Sequence, residues 1–483
     1  MASEIKKAGE WALEYLELTA SSGKKVRLEQ VLIGITFIED IGLNSLTGSL
    51  LVSDAMNLAS YAPIIGQEYL KLKLGTPTYG VGSVNTKFEF MDNALMVTQI
   101  TGRMDIGNGV QGYQLNFCTR ELLVNQRTKV MQSYVGTWSD IVTRIMTEKL
   151  GCRKKIRVEP TNSVIKHIGT NLRPFDIIQQ AENESQSKKT GEATYYFFET
   201  KEAYHFRSLA SLYAEPSKIT YEKSIAGKKS DRGIIDVQED LKSILAFEIS
   251  GSSDGTLMQR TGAYASNLII HDISSKSYQT YTYNMLDQFA NSSTIEGTNA
   301  TYAQEGGSTI DYPIVSELEI EPGKRVTDYP AKTFLVPQSN SGGLSNIYPS
   351  EVGESYTSSN HENWLQERDS VGTRLDNSIA ISVRVHGNTF IHAGDIVNCN
   401  IPYTSANKTV ENDRYDNIYK GKFLVSALRH DFITGTAMEH TMQMKLVKDS
   451  LPAPIGAIET ENHEPVSKNE AEVDCDMYGE EPF

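Results

Sequence analysis

Nine histidines and four cysteines are the side chains of this 483-residue chain with the widest chemical reach. His386 and His392 lie six apart, and His430 and His440 ten apart, on segments that read as strand and turn. No carboxylate or thiol stands beside them at ligand spacing, so they read as hydrogen-bonded structural imidazoles rather than a metal site. His361-Glu362 opens like a zincin motif but lacks the second histidine four positions on. Cys118, Cys152, Cys399 and Cys475 form no C-x-x-C pair, which excludes a zinc ribbon and a redox motif and leaves reduced, structural thiols. Glu39 and Asp40 follow a strand; glycoside hydrolysis needs two carboxylates at a defined separation, and adjacent acids more often mark a solvated strand end. Gly107-Asn108-Gly109 carries nothing else of a dinucleotide fingerprint, and neither a G-x-S-x-G elbow nor a P-loop occurs. No enzymatic activity, catalytic residue, metal or cofactor is expected.

The formal net charge is -15, which argues against a surface built to grip nucleic acid, because phosphate affinity comes from clustered Lys and Arg. Acidic walls would instead let a polyanion pass without sticking. Residues 452–483 hold nine acids, from Glu459 to Glu481, against Lys468, and read as a flexible or docking acidic tail. Met1 to Lys25 has scattered charge and no apolar h-region, and no segment reaches the ~20 apolar residues of a membrane span. The chain is expected to be made and folded in a cytoplasm.

The elements that must position these residues are mostly strands. A length of 483 residues predicts several domains. Tyr15–Leu18 and Lys25–Leu28 alternate around a Ser21-Ser22-Gly23 turn, followed by Val31–Ile41, Gly48–Asp54, Glu68–Leu74, Lys87–Phe90, Met96–Thr101 and Tyr113–Phe117. Residues 1–120 therefore read as a first barrel. Residues 121–233 read as a mixed α+β domain, with helices at Trp138–Leu150 and from Pro174, then a hairpin of Tyr195–Thr200 and Tyr204–Leu209 turning at Lys201-Glu202. Strands at Ile234–Val237, Ala246–Ser250 and Leu268–Ile273 resume after it. Residues 276–360 are Ser, Thr, Asn, Gly and Tyr-rich and read as a polar insertion with one short strand at Val315–Ile320. A helix near Trp364–Leu375 and strands at Ile379–His386, Asp395–Ile401, Lys422–Phe432 and His440–Val447 complete a second barrel, split as 234–275 and 361–451. The segment from Gly66 to Leu72 echoes that from Gly394 to Asn400, which favours duplicated barrels. Alternation singles out Glu68, Tyr69, Leu70, Lys71, Leu72, Lys73 and Leu74, with Ile379, Ile381, Val383 and Val385, as candidate tube-wall strands.

The FIEDI phrase at Phe37–Ile41, the strand Gly48 to Asp54 and the IIGQEYLKL segment resemble the start of baseplate hub proteins of contractile-tailed phages. RPFDIIQQAENES at Arg173–Ser185, followed by YYFFET and FRSL, resembles the middle domain of that family. Val385-His386-Gly387 to Pro402 and LVSALRHDF at Leu424–Phe432 resemble its last barrel. The family is related to the base of type VI secretion spike proteins. The resemblance implies a mainly β chain with an α+β domain and two tube-type β-barrels, trimerising into a pseudo-sixfold ring in the virion's tail baseplate. It implies as partners the chain itself, a tail tube protein, a trimeric central spike and baseplate wedge or peripheral hub proteins, with DNA and tape-measure protein passing through. The alternatives are a spike base of a secretion or other contractile injection system, which the missing needle repeats disfavour, and a tail-borne glycan hydrolase, for which no motif is present.

Overall fold

The computed structural model describes residues 8–76, 87–223, 237–251, 254–272, 276–297, 311–315, 319–337, 361–377, 379–402, 415–435 and 438–452. The acidic tail beyond Pro452 and the stretches 298–310 and 338–360 of the polar insertion lie outside them, as does Ile234. No described helix is long and apolar enough to cross a membrane.

Seven strands open the chain: β1 (Ala12–Thr19), β2 (Lys25–Arg27), β3 (Leu32–Asp40), β4 (Thr47–Asp54), β5 (Tyr69–Gly75), β6 (Lys87–Gly107) and β7 (Val110–Cys118), with a one-turn helix α1 (Leu58–Tyr61). Their alternation buries one row: Leu16, Leu18, Ile35, Phe37, Leu50, Leu70, Leu72, Leu74, Phe88, Leu95 and Phe117 form one core. Apolar area removed from water on this scale is the main force holding the sheet.

The middle segment runs α2 (Arg120–Arg127), β8 (Ser133–Gly136), α3 (Trp138–Arg144), β9 (Lys155–Val158), β10 (Ile165–Ile168), α4 (Pro174–Glu184), β11 (Tyr195–Glu199), β12 (Ala203–Ser208) and α5 (Leu209–Tyr213). α3 winds into a π-turn at Ile145–Lys149, with Leu150 N–H bonding back to the Ile145 carbonyl. Thr137 caps α3 through its hydroxyl, and Pro174 supplies the first residue of α4. β11 and β12 form the expected hairpin, with Glu199 opposite Tyr204.

The third segment holds β13 (Thr220–Glu222), α6 (Val237–Leu241), β14 (Ile244–Gly251), α7 (Gly255–Thr261), β15 (Ala265–Asp272), β16 (Ser277–Asn284), α8 (Met285–Phe289), β17 (Tyr312–Pro313), β18 (Glu319–Glu321), β19 (Lys324–Arg325), β20 (Lys332–Pro337), α9 (His361–Asn377), β21 (Ile379–His386), β22 (Ile396–Pro402), β23 (Tyr415–Ile433), β24 (Glu439–Lys448) and β25 (Ser450–Leu451). Three expectations are corrected here. Val237 starts a helix rather than ending a strand. The strand at Leu268–Ile273 belongs to β15, which pairs with β16 and β20 in a separate sheet and not with the second barrel. SYQTYTYN, in the insertion read as having one short strand, is the mostly exposed edge strand β16; Tyr and Thr favour extended backbone, and ladder bonds need no apolar side chain. The insertion therefore has its own small core of Met258, Ala263, Tyr264, Met285, Phe289 and Val315, with α9 bonded to Ser266 of β15 through Gln366 and to the Ala263 carbonyl just before it through Ser370.

The two strand-rich regions are not two closed barrels among the described residues. They form one continuous sheet of thirteen strands, in the order β14-β21-β24-β23-β3-β4-β7-β6-β5-β1-β2, with β22 on β23 and β13 on β22. Within it one antiparallel pattern occurs twice: β3-β4-β7-β6-β5 and β14-β21-β24-β23-β22. The irregularities repeat too. Pairing slips between Leu32 and Gly34 against β4, and between Ile244 and Ala246 against β21. It slips again between Val97 and Gln99 against β7, and between Val425 and Ala427 against β24. Bulges are placed by local sequence and backbone course, so these two matched pairs support duplicated units, although β6 also slips at Thr101/Met104 and Asp105/Gly107 and β14 at Ile249/Gly251 without a counterpart among the described residues. The insertion grows from the β14–β21 connection, at the position where the first unit has only the short turn after β3.

Candidate functional site at the sheet junction

Where the units meet, β23 lies along β3 from Ala427 opposite Asp40 to Ile433 opposite Gly34. Side chains lock the seam. Thr36 donates to Asp431 at 2.8 Å, the Thr434 hydroxyl donates to the Leu32 and Ile33 carbonyls, and the Trp11 indole donates to the Ile433 carbonyl at 3.3 Å. The Phe432 ring stacks on His440 with centroids 3.9 Å apart and meets Phe37, Phe88 and Trp11 edge-on. The shared core thus crosses the seam, and the junction behaves as sheet interior.

Behind the seam sits a buried charge cluster. Glu39 is fully buried and accepts from the backbone N–H groups of Lys201 at 2.8 Å and Ala393 at 3.1 Å, while His392 Nδ1 lies 3.3 Å away. Burial opposes its charge, but His392, His430 and the Lys201 N–H together hold the carboxyl at about 2. On the hairpin, Glu202 is likewise held at about 2, first by His392. Lys201 donates to the Thr389 carbonyl, and burial lowers its ammonium to about 8. Burial also keeps His205 and His430 neutral, each lowered to about 3. A second buried carboxylate, Glu199, accepts from Leu46 N–H at 2.8 Å and Thr119 at 2.7 Å and pairs with Lys154 at 2.6 Å. Together they dock the β11–β12 hairpin: Glu39 on β3 takes its donors from the hairpin turn and from the second unit, and Glu199 on β11 takes donors from Leu46 and Thr119 beside the first unit.

This arrangement fixes geometry rather than handling a substrate. Glu39 and Asp40 alternate across β3, so the two carboxylates point to opposite faces: Glu39 is buried with His392, whereas Asp40 is half-buried and accepts from Gly42 N–H. The cleft beside Glu202, His205 and His392 measures about 40 Å³. Of the two histidine pairs, His430 and His440 meet at 3.1 Å with both rings buried, whereas His386 faces Asp240 and His392 faces Glu39. Among the described residues no group of three or more His, Cys, Asp or Glu side chains converges on a metal-sized site. Cys118, Cys152 and Cys399 are free thiols, each pushed up to about 12 by burial.

The singled-out wall residues divide by face. Leu70, Leu72, Leu74, Ile381, Val383 and Val385 are fully buried core, with Ile379 close behind. Lys71 lies opposite Glu17, and Lys73 pairs with Glu14 at 3.4 Å and Glu89 at 3.5 Å, so the other face of β5 is a charge ladder. Tyr69 is exposed, and Glu68 precedes the strand. Its carboxylate accepts from Ile65, Gly66 and Gln67 N–H, as Asp395 accepts from His392 N–H before β22. The Glu68 and Asp395 carbonyls then accept from Val97 and Val425, both at 2.9 Å. Glu68 is therefore the counterpart of Asp395, and aligning Gly66 with Gly394 puts the sequence echo one residue out of register.

The face of the sheet opposite the core curves around a groove of about 930 Å³, lined by Thr36, Ile38, Leu51, Glu248, Arg384, Arg429, Asp431 and Gln443. Its charges balance, Arg384 and Arg429 against Glu248 and Asp431. The charge lies elsewhere: nine acids less one lysine put -8 of the -15 in residues 452–483. Sequence reading missed both the Glu39 cluster and the outer edges of β6 and β14. The run Leu245, Phe247, Ile249, free of Lys and Pro, was the available signal for β14.

No family model and no curated protein matches the chain. Solved structures that match it include tail proteins, the phage P2 baseplate and a component of the type VI secretion system. The tail protein from Neisseria meningitidis MC58 aligns over 91% of this chain and 97% of its own, with 9% identity and a TM-score of 0.47. The 43 kDa tail protein of prophage MuSo2 from Shewanella oneidensis aligns over 90% and 98%, with 9% identity and a TM-score of 0.44. An E. coli component of the type VI secretion system aligns over 91% of this chain and 76% of its own, with 7% identity and a TM-score of 0.37.

Proposed function

We propose that the chain is the baseplate hub of a contractile phage tail, a structural subunit that adapts a sixfold tail tube to a trimeric central spike. Three copies, each supplying two like units, make a ring of six around a channel for DNA and tape-measure protein. The observation that carries this reading is the duplication within one sheet: β3-β4-β7-β6-β5 and β14-β21-β24-β23-β22 share order, direction and two bulge positions. A chain that repeats one unit side by side offers a hexameric neighbour two equivalent positions while keeping threefold symmetry through its unique parts. The middle segment and the insertion are those unique parts, and they suit contacts with the spike and peripheral baseplate proteins. The buried carboxylates serve rigidity, as a load-bearing joint requires, and no activity is assigned to them. The second unit, the wall strands β5 and β21, and the balanced groove as channel lining belong to the same reading. Light scattering followed by negative-stain class averages tests it. A trimeric ring with a central hole is expected; a compact monomer at micromolar concentration, with no assembly alongside its spike, overturns it.

A further inference from the structure

We propose that neighbouring copies join by strand pairing between two particular edges, the outer edge of β14 in one copy and the outer edge of the distal half of β6 in the next. The inference rests on the trimeric reading and specifies its interface. The register is that of the β3–β23 seam already built inside the chain.

The duplication supplies the argument. β14 is the counterpart of β3, and β6 the counterpart of β23. Inside the chain, β3 and β23 pair with each other. Their counterparts are the two edges left over: β14 pairs only with β21, and β6 beyond Met96 pairs only with β7, among the described residues. One subunit thus ends in the two halves of a joint whose closed form it already contains.

Both edges look like unfinished joints. Long apolar edges invite pairing, and proteins guard them with Lys, Pro or shortness. The opposite end of the sheet, β2, is guarded: three residues long, with Lys25 and Arg27. β14 is eight residues long without Lys or Pro, and leaves Leu245, Phe247 and Ile249 exposed at 39%, 37% and 45%. By the matched slips, Phe247 and Ile249 are the counterparts of Ile35 and Phe37, which the seam buries to 1% and 0%. β6 exposes Met104 and Ile106 at 61% and 59%. At the start of β14 the Lys223 ammonium binds the Ile244 and Leu245 carbonyls, counterparts of the two that Thr434 binds at the closed seam. The edge from Ala246 onward is left for a neighbour.

A joint between two different edges is heterologous, and repeating it closes a ring when each step turns by the same fraction. The step inside the chain and the step between chains are the same joint, so six units close with three copies. Transferring the seam register sets Glu248 opposite Met104, as Thr36 is opposite Asp431. Cross-strand Cβ atoms ~5 Å apart are within reach of a disulfide, whereas Thr101, set two pairs out of register by the extra slip between Thr101 and Met104, is ~7–8 Å away and is not.

The test is the Glu248→Cys/Met104→Cys variant in a Cys475→Ser background, oxidised mildly and run on a non-reducing gel. A covalent species that stops at three copies is expected, with each single variant and the out-of-register Glu248→Cys/Thr101→Cys variant remaining uncrosslinked. A trimer in solution that does not crosslink overturns the proposed edges and leaves the hub reading standing, whereas a monomer throughout overturns both. A ladder running past three overturns ring closure. As a second measurement, Phe247→Lys/Ile249→Lys is expected to keep the wild-type circular dichroism spectrum and lose the trimer in gel filtration. A trimer retained by this folded variant overturns the proposal.

Discussion

A carboxylate such as Glu39, with no exposure to water, stays charged in a low-dielectric interior only because two N–H donors and an imidazole face it. Removing it strands those partners, so Glu39→Ala is expected to cost about 3–5 kcal/mol, read from the urea midpoint, with Glu39→Gln costing less. A loss under about 1 kcal/mol would show the cluster to be dispensable. Its neighbours set the response to acid. His205 and His430 have folded pKa values lowered to about 3 by burial, and burial takes His440 well below its ordinary value. Below about 6.5 the unfolded imidazoles bind protons that the folded ones refuse, so stability falls with pH, by up to about 1.4 kcal/mol per unit for each. Glu39 adds stability above its ordinary value near 4.5 that is lost as pH drops toward about 2, in the same direction. His392, raised by Glu39 and Glu202 against the pull of burial, works oppositely, its contribution full below about 6.5 and lost as pH rises through its folded value. Glu182 and Glu367, each raised to about 7 by burial, also work oppositely over that range, so the histidines are read one at a time. His205→Asn is expected to raise the thermal midpoint at pH 5 relative to that at pH 7.5 when compared with the unsubstituted chain, and an unchanged pH profile contradicts the buried neutral state.

At the scale of elements, period-two alternation made most strands legible, because a half-buried sheet writes its buried face into every second residue. It could not say which strands neighbour which. β15 shares its pattern with β14 yet pairs in another sheet, and the choice is made by tertiary contacts with α9 and β20. Nor could alternation find Glu39 beside His392, residues more than three hundred positions apart in sequence, or tell that Glu68 rather than Gly66 marks the repeat. The strands fit tightly enough to be tested singly. A Cβ on Gly48, near the start of β4, would land on the Thr36 carbonyl of β3 and the Phe117 ring of β7. Because backbone and a packed aromatic cannot retreat as a flexible side chain can, Gly48→Ala is expected to cost about 1–3 kcal/mol by overpacking, measured by chemical denaturation. A neutral result would mean that β4 stands farther from its neighbours than the sheet places it.

At the scale of the whole molecule, the same joint that unites the two units within a chain is the one proposed between chains, and the forces in it can be told apart. The closed seam is held by ladder hydrogen bonds and by the Phe432, Phe37 and Trp11 rings, with one ion pair, Arg429 to Asp431 at 2.9 Å, lying within β23 itself rather than across the seam. The edges left open offer chiefly backbone groups and the apolar side chains of Phe247, Ile249, Met104 and Ile106. Salt shortens the Debye length from about 10 Å at 0.1 M to about 3 Å at 1 M, which weakens exposed charge pairs and leaves apolar burial untouched. The trimer fraction by sedimentation velocity is therefore expected to be the same at both salt concentrations. Dissociation at the higher one would mean that charges elsewhere, such as those of the acid-rich final segment, hold the copies together instead of the sheet edges.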